Sequence, residues 1–206
     1  MGGQGMWPAT VESGDIVLRP IRYRDKRDWI DVRGRNFEWL SPWEATSPVP
    51  GSRLPTFGGM VRSLNEQARA GNALPWIIAL RVPGSSETRL VGQLTVSSIV
   101  WGSAMMATLG YWIDRDHAGR GIVPTAVAMA TDHCFRELGL HRMEINIRPE
   151  NAASLRVVEK LGFRHEGLRP RYLHINGQWA DHESFALTSD EVPEGLLRRW
   201  LAAHQE

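Results

Sequence analysis

The chain has 206 residues, a formal charge of +1, and 42% hydrophobic against 23% charged residues, which suits one globular domain with short appendages. No basic surplus points to nucleic acid as a main ligand. Its single cysteine, Cys134, excludes an intrachain disulfide framework, and no segment approaches the ~18 consecutive apolar residues of a membrane helix. The opening MGGQGMWPAT lacks the basic start and apolar core of a secretory signal, so a cytoplasmic location is expected.

In chain order, residues 1–13 are expected to be a flexible leader and residues 15–21, DIVLRPI, a short strand. Residues 24–40 carry Trp29, Ile30, Val32, Phe37 and Leu40 among charges, which predicts a helix with Asp25 near its cap. Residues 41–55 are rich in Pro, Ser and Gly and predict a loop bearing Trp43 and Glu44. A second helix is expected over residues 56–70, ended by Gly71. The period then changes to strands over 76–82 and 89–100 joined by the turn PGSSET, an antiparallel meander unlike the repeated strand–helix rhythm of a dinucleotide fold.

The chain is organised around residues 109–140. An apolar run from Leu109 to Ile113 predicts a buried strand, polar residues break it, and Gly119, Arg120 and Gly121 precede a segment where Val127, Ala130 and Cys134 recur at helical spacing. A helix start leaves backbone N–H groups unpaired and carries partial positive charge, so a glycine turn there suits a phosphate. Pro124 fits the first helical turn. Cys134 falls on the apolar face of that helix, where it reads as a small buried side chain.

Downstream, residues 142–148 alternate Met143, Ile145 and Ile147 with Glu144, Asn146 and Arg148, one face buried and one polar. A helix is predicted over 151–160, capped by Asn151 and closed by Gly162. Strands over 172–175 and 179–187 flank the Asn176-Gly177 hairpin signal, and residues 190–206 suggest a short terminal helix. The histidines lack clean ligand spacing, so no metal is expected.

Three separated patterns, GYWIDRDHAGRGI, RMEINIRPENAASLRVVEKLGF and EGLRPRYLHINGQWADHESFAL, together resemble the GCN5-related N-acetyltransferase (GNAT) superfamily. Within it they resemble the bacterial RimJ and RimL type, RimJ more than RimL, which acetylates the amino-terminal residue of ribosomal proteins. Asn151, Ser154, Glu159, Lys160, Gly162 and Phe163 sit in the NxxSxxxxEKxGF spacing of that family. The resemblance implies a mixed α+β fold, a central, mostly antiparallel twisted sheet flanked by helices. It places the acetyltransferase domain at 14–188, with a helical extension over 189–206.

It also implies acetyl-CoA as co-substrate. Carried over, Ala118, Gly119, Arg120, Gly121, Ile122 and Val123 would surround the pyrophosphate, and the backbone of Tyr111, Trp112 and Ile113 would run along the pantetheine arm. Asn151 would bond that arm, and Ser154 would protonate the departing sulfur. Asp116 departs from the superfamily's usual Gln or Arg three residues before the first glycine, and is expected to point away from the phosphates. An α-amine, with a pKa of ~7.7 to 8.0, needs only a modest base; Glu144 acting through water and Glu44 are the candidates. Trp43, Glu44, Tyr172 and His174, with Asp181 nearby, would build the acceptor side.

The expected acceptor is a protein amino terminus, an alanine of a ribosomal protein, with no direct nucleic-acid or membrane contact and a monomeric or homodimeric enzyme. A small-molecule amine such as a polyamine, an aminoglycoside or an amino-acid-like amine is the alternative, and an acyl-CoA-binding module without turnover is the non-enzymatic one.

Overall fold

The computed structural model describes residues 7–52 and 54–204. One sheet holds β1 (Val11–Ser13), β2 (Ile16–Pro20), β3 (Leu74–Arg81), β4 (Thr88–Val100), β5 (Met106–Ile113), β6 (Arg142–Ile147), β7 (Arg164–Ile175) and β8 (Gln178–Thr188). Their spatial order is β1-β2-β3-β4-β5-β6-β8-β7, and every pairing is antiparallel except β5 with β6. The helices are α1 (Lys26–Arg35), α2 (Phe37–Leu40), α3 (Phe57–Arg69), α4 (Ile122–Arg136), α5 (Ala152–Leu161) and α6 (Leu196–Ala202). The expected mixed fold with a mostly antiparallel sheet is therefore present.

Two layers cover the sheet. Leu74, Trp76 and Ile78 of β3 pack with α4, α5 and α6, while Ile77 and Ala79 pack with Trp29 and Val32 of α1 and Phe57 and Val61 of α3. Burial on both faces is why β3 reads as an unbroken apolar run rather than an alternating one.

The pairing that matters for function is between β5 and β6. It spans only Met106–Thr108 against Arg142–Glu144. Beyond that, β5 continues along β4 as far as Ile113, and β6 continues along β8 as far as Ile147, so the sheet opens into a wedge with two unpaired inner edges. A bulge in β4 between Ser97 and Val100, with Ser98 at φ 51°, bends the β4–β5 pair at the apex of the wedge.

Some boundaries differ from the sequence expectation. Val11–Ser13, read as part of a loose leader, pairs with β2, and Trp76 Nε1 donates to the Ala9 carbonyl at 2.8 Å; residues 1–6 of that leader lie outside the described residues. The helix expected over 24–40 breaks at Asn36, whose amide donates to the Val32 carbonyl at 2.9 Å and to Asp114 Oδ1 at 2.8 Å. Strand β7 starts at Arg164, eight residues before the expected 172; register shifts between His165 and Gly167 (φ 126°) and between Arg169 and Leu173, with Arg171 at φ 51°, hide its alternation. The terminal helix is confined to α6, preceded by a single turn at Ser189–Glu191. Among the described residues no helix is long and apolar enough to cross a membrane.

Candidate active site

The glycine turn sits at the start of α4. Gly119 and Gly121 adopt φ of 76° and 74°, and Gly121 is the N-cap of the helix. None of the N–H groups from Gly119 to Val123 has an acceptor among the described residues, whereas Thr125 N–H already closes on the Gly121 carbonyl at 3.1 Å. A Cβ built on Gly119 would meet nothing within 4 Å, so the turn borders open space. Consecutive free amides at a helix start form an anion cradle. Arg120 and Asp116 are both exposed, so Asp116 does not fill the turn.

Two buttresses fix this turn. In front of it, the Asp114 carboxylate is 1% exposed and takes an ion pair from Arg35, the Asn36 amide at 2.8 Å and the His117 ring at 3.2 Å, while Asn36 Oδ1 accepts from Arg115 N at 2.9 Å. Burial alone would raise the Asp114 pKa, but Arg35, Asn36 and the Asp116 amide outweigh it and hold the carboxyl below its usual value. Behind it, Trp200 of α6 donates to Thr125 Oγ1 at 2.8 Å, and that hydroxyl donates to the Gly121 carbonyl at 2.8 Å. Helix α6 is itself seated by Asp132, which accepts from Leu196 N at 2.7 Å and Leu197 N at 3.0 Å, and Arg199 bonds the Leu161 carbonyl of α5.

The wedge presents different chemistry on its two faces. Leu109, Tyr111 and Ile113 of β5 and Ile145 and Ile147 of β6 face the α4–α5 layer. There Asn151 caps α5, its Oδ1 accepting from Ser154 N at 3.1 Å. The Tyr111 hydroxyl is sealed from solvent without a hydrogen-bond partner, and Ser154 lies close enough to affect its titration without reaching bonding geometry. Burial pushes the Tyr111 phenol up to about 12, partly offset by Ser154, so at neutral pH it is a proton donor.

On the opposite face, the pairing of Thr108 with Glu144 and of Asn146 with Ser184 places Thr108, Gly110 and Trp112 of β5, Glu144, Asn146 and Arg148 of β6, and His182 and Ser184 of β8 together. Ser184 Oγ donates to Asn146 Oδ1 at 2.6 Å, and the Asn146 amide nitrogen is buried without a partner. Arg148 donates to the Pro42 carbonyl at 3.0 Å and lies 5.7 Å from the Trp43 ring. A roof forms where the loop after α2 meets the last hairpin. Asn176 N donates to the Glu44 carbonyl and Thr46 N to the His174 carbonyl, each at 2.9 Å.

A family model described as an acetyltransferase (GNAT) domain matches residues 15–164. The chain belongs to the GNAT acetyltransferases. It is 39% identical over 177 residues to the probable N-acetyltransferase YjcK of Bacillus subtilis, covering 85% of this chain and 95% of that protein. To the [ribosomal protein uS5]-alanine N-acetyltransferase of Escherichia coli it is 30% identical over 180 residues, covering 87% and 91%. The solved structure of Mycobacterium smegmatis RimJ in complex with CoA-disulfide is similar at a TM-score of 0.85, with 36% identity and 96% of each chain covered. The RimJ-type resemblance seen in the sequence motifs is thus upheld, and the protein is an acetyl-CoA-dependent N-acetyltransferase.

The residues present fit the GNAT co-substrate. Free amides and open space at Gly119 suit a diphosphate, and the unpaired inner edge of β5 from Leu109 to Ile113 suits an amide-bearing arm. The sequence-expected residues do not all fall as anticipated. Glu144, a candidate base, is 6% exposed, with Oε1 held by Arg142 at 2.8 and 2.9 Å and Oε2 by Arg169 at 3.2 Å. Both oxygens of this candidate base are thus shared with arginines, one on β6 and one on β7. Glu44 is ion-paired to Arg33, whose guanidinium lies over Trp29 and Trp112. His174 Nδ1 contacts Thr46 Oγ1 at 2.8 Å, so it fastens the roof; the Tyr172 ring lies edge-on to His182. Sequence reading gave no role to Arg33 or His182 and took Asn146 and Arg148 only as part of the polar face of 142–148; Arg33 and Arg148 find partners 11 and 106 residues away, and Asn146 pairs across the strands with Ser184. The alternation of 142–148 was the available signal for two of them. Among the described residues no group of three or more His, Cys, Asp or Glu could hold a metal ion.

Proposed function

We propose that the acceptor is the α-amine of a protein amino terminus, an alanine of a ribosomal protein. The observation that carries this reading is the charge state of the cleft: Glu44 is matched by Arg33, and Glu144 by Arg142 and Arg169. A polyamine or aminoglycoside would call for unpaired acids there. The roof of residues 44–46 is bonded to the last hairpin, and we read Trp43, Glu44, Tyr172 and His174 beside it as the walls of a slot for a chain end. Similarity to the uS5-alanine enzyme of Escherichia coli supports the same choice.

Bound acetyl-CoA supplies an acyl group activated as a thioester. In the proposed mechanism, the amides of Gly119 to Val123 and the Arg120 charge hold the diphosphate, with Ala118 at its edge. The backbone of Tyr111, Trp112 and Ile113 and the free Asn151 amide orient the arm in the wedge. Ser154 holds the proton for the departing thiolate, backed by the neutral Tyr111 hydroxyl.

The deciding assay measures thiol release from acetyl-CoA with a peptide bearing a free amino-terminal alanine, the same peptide amino-terminally blocked but containing lysine, spermidine, and an aminoglycoside. Turnover with the free amino terminus is expected. Turnover confined to the small amines overturns the reading.

A further inference from the structure

With Glu144 and Glu44 committed to arginines and His174 fastened to Thr46, the acceptor face leaves a buried imidazole, His182, without an ion pair among the described residues. His182 is 3% exposed, and its Nδ1 lies 3.0 Å from the Ala180 carbonyl oxygen. A carbonyl only accepts, so Nδ1 carries the hydrogen and Nε2 carries the lone pair. Nε2 makes no hydrogen bond among the described residues, yet is not sealed from solvent as the Asn146 amide is. We propose that His182 Nε2 is the catalytic proton acceptor for the attacking amine.

Position supports the assignment. Ile147 pairs with Glu183, and Asn146 with Ser184, so His182 neighbours Arg148 where the β6–β8 ladder ends, at the mouth of the wedge and under the Trp43 loop. It shares its strand face with Ser184 and, across the pair, with Asn146, whose unpaired buried nitrogen needs an acceptor such as the carbonyl of an incoming chain end. Its surroundings keep it neutral. Burial lowers its pKa most; the Ala180 bond raises it, Arg148 on β6 lowers it, and Asp181 and Glu150 raise it, for a net value below the ordinary histidine one. From β7, the Tyr172 ring lies edge-on at 5.9 Å, and Arg169 is the cross-strand partner.

The step balances without a further reagent. The amine nitrogen forms the amide C–N bond as the thioester C–S bond breaks. One N–H proton passes to His182 Nε2 and the thiolate takes the Ser154 hydroxyl proton; solvent then takes the histidine proton and restores that of the serine. Donor and acceptor thus stand on opposite faces of one wedge, so the two proton transfers do not compete for one group.

The test is His182→Asn, whose amide nitrogen can occupy the Nδ1 place and keep the Ala180 bond while Nε2 is lost. With whichever amine the wild type turns over, kcat is expected to fall about 100-fold, with the acetyl-CoA Kd, read by calorimetry, within twofold of wild type. The acid limb of the wild-type kcat profile should vanish with it. Nitrogen-15 histidine NMR, which needs no acceptor, should show His182 in the Nδ1-protonated form at pH 7. Wild-type kcat and pH profile in the variant, a loss confined to acetyl-CoA affinity, or an Nε2-protonated ring would each overturn the proposal. The inference concerns acyl transfer itself, so failure of the ribosomal acceptor reading leaves this comparison intact.

Discussion

The indole of Trp200 donates to Thr125 Oγ1 at 2.8 Å across 75 residues of sequence, and the same hydroxyl donates to the carbonyl of Gly121. The last helix therefore props the glycine turn proposed to cradle the diphosphate. Trp200→Phe keeps most of the packing and removes the donor. A buried hydrogen bond is worth roughly 0.5–1.5 kcal/mol, so the acetyl-CoA Kd should rise about 2- to 10-fold by calorimetry. An unchanged Kd in a variant that still folds would show that the prop is idle.

Ser154→Ala should behave in the opposite way. The Asn151 cap bonds the backbone of residue 154, not its side chain, so the helix start and the acetyl-CoA Kd should persist while kcat falls by at least tenfold. Tyr111→Phe should lower kcat less, because its proposed part is only to back the serine. Equal kcat in wild type and Ser154→Ala, with saturating acceptor, would remove the serine from the mechanism.

Asp114 gives a pH-dependent prediction. Its folded pKa lies below that of the unfolded carboxyl, so it contributes stability at pH values above about 4 and loses it as pH falls through the folded value. Asp114→Asn should cost about 2 kcal/mol near pH 7, less than a fully buried pair because the Arg35 side chain is half exposed. The difference in melting temperature between the two proteins should shrink between pH 5 and about pH 3. A pH-independent gap would contradict this.

Gly92 has no room for a side chain. A Cβ there would collide with the Trp112 carbonyl oxygen and lie 3.2 Å from Ile113 Cα, at the point where β4 holds the end of β5. Gly92→Ala should lower stability by about 1–3 kcal/mol, or several degrees in Tm. Gly110→Ala on the next strand, where a Cβ would meet nothing within 4 Å, is the control and should melt near the wild-type temperature.

The glycine turn and helix cap of the proposed cofactor half were legible in local signals, and the ion pairs of the acceptor half were not. The Leu109-to-Gly121 turn and the Asn151–Ser154 cap are contiguous, and a strand, a glycine φ and a helix cap leave their marks within a few residues. Glu144 and Glu44 looked like free acids because Arg169 and Arg33 reach them only after β7 and α1 have packed. His182 looked ordinary for the same reason: its tautomer is set by a local carbonyl, but its neighbour Arg148 comes from another strand. Strand β7 was underestimated because bulges at Gly167 and Arg171 break the two-residue period on which strand reading depends.

The wedge between β5 and β6 also has a kinetic meaning. On the proposed mechanism the nucleotide enters from the α4–α5 side and the chain end from the roofed side, so each product has its own exit, and neither needs to leave before the other can be replaced. Double-reciprocal plots with both substrates varied should then intersect rather than run parallel, and a single inhibitor spanning both halves would have to be threaded through the gap or assembled within it.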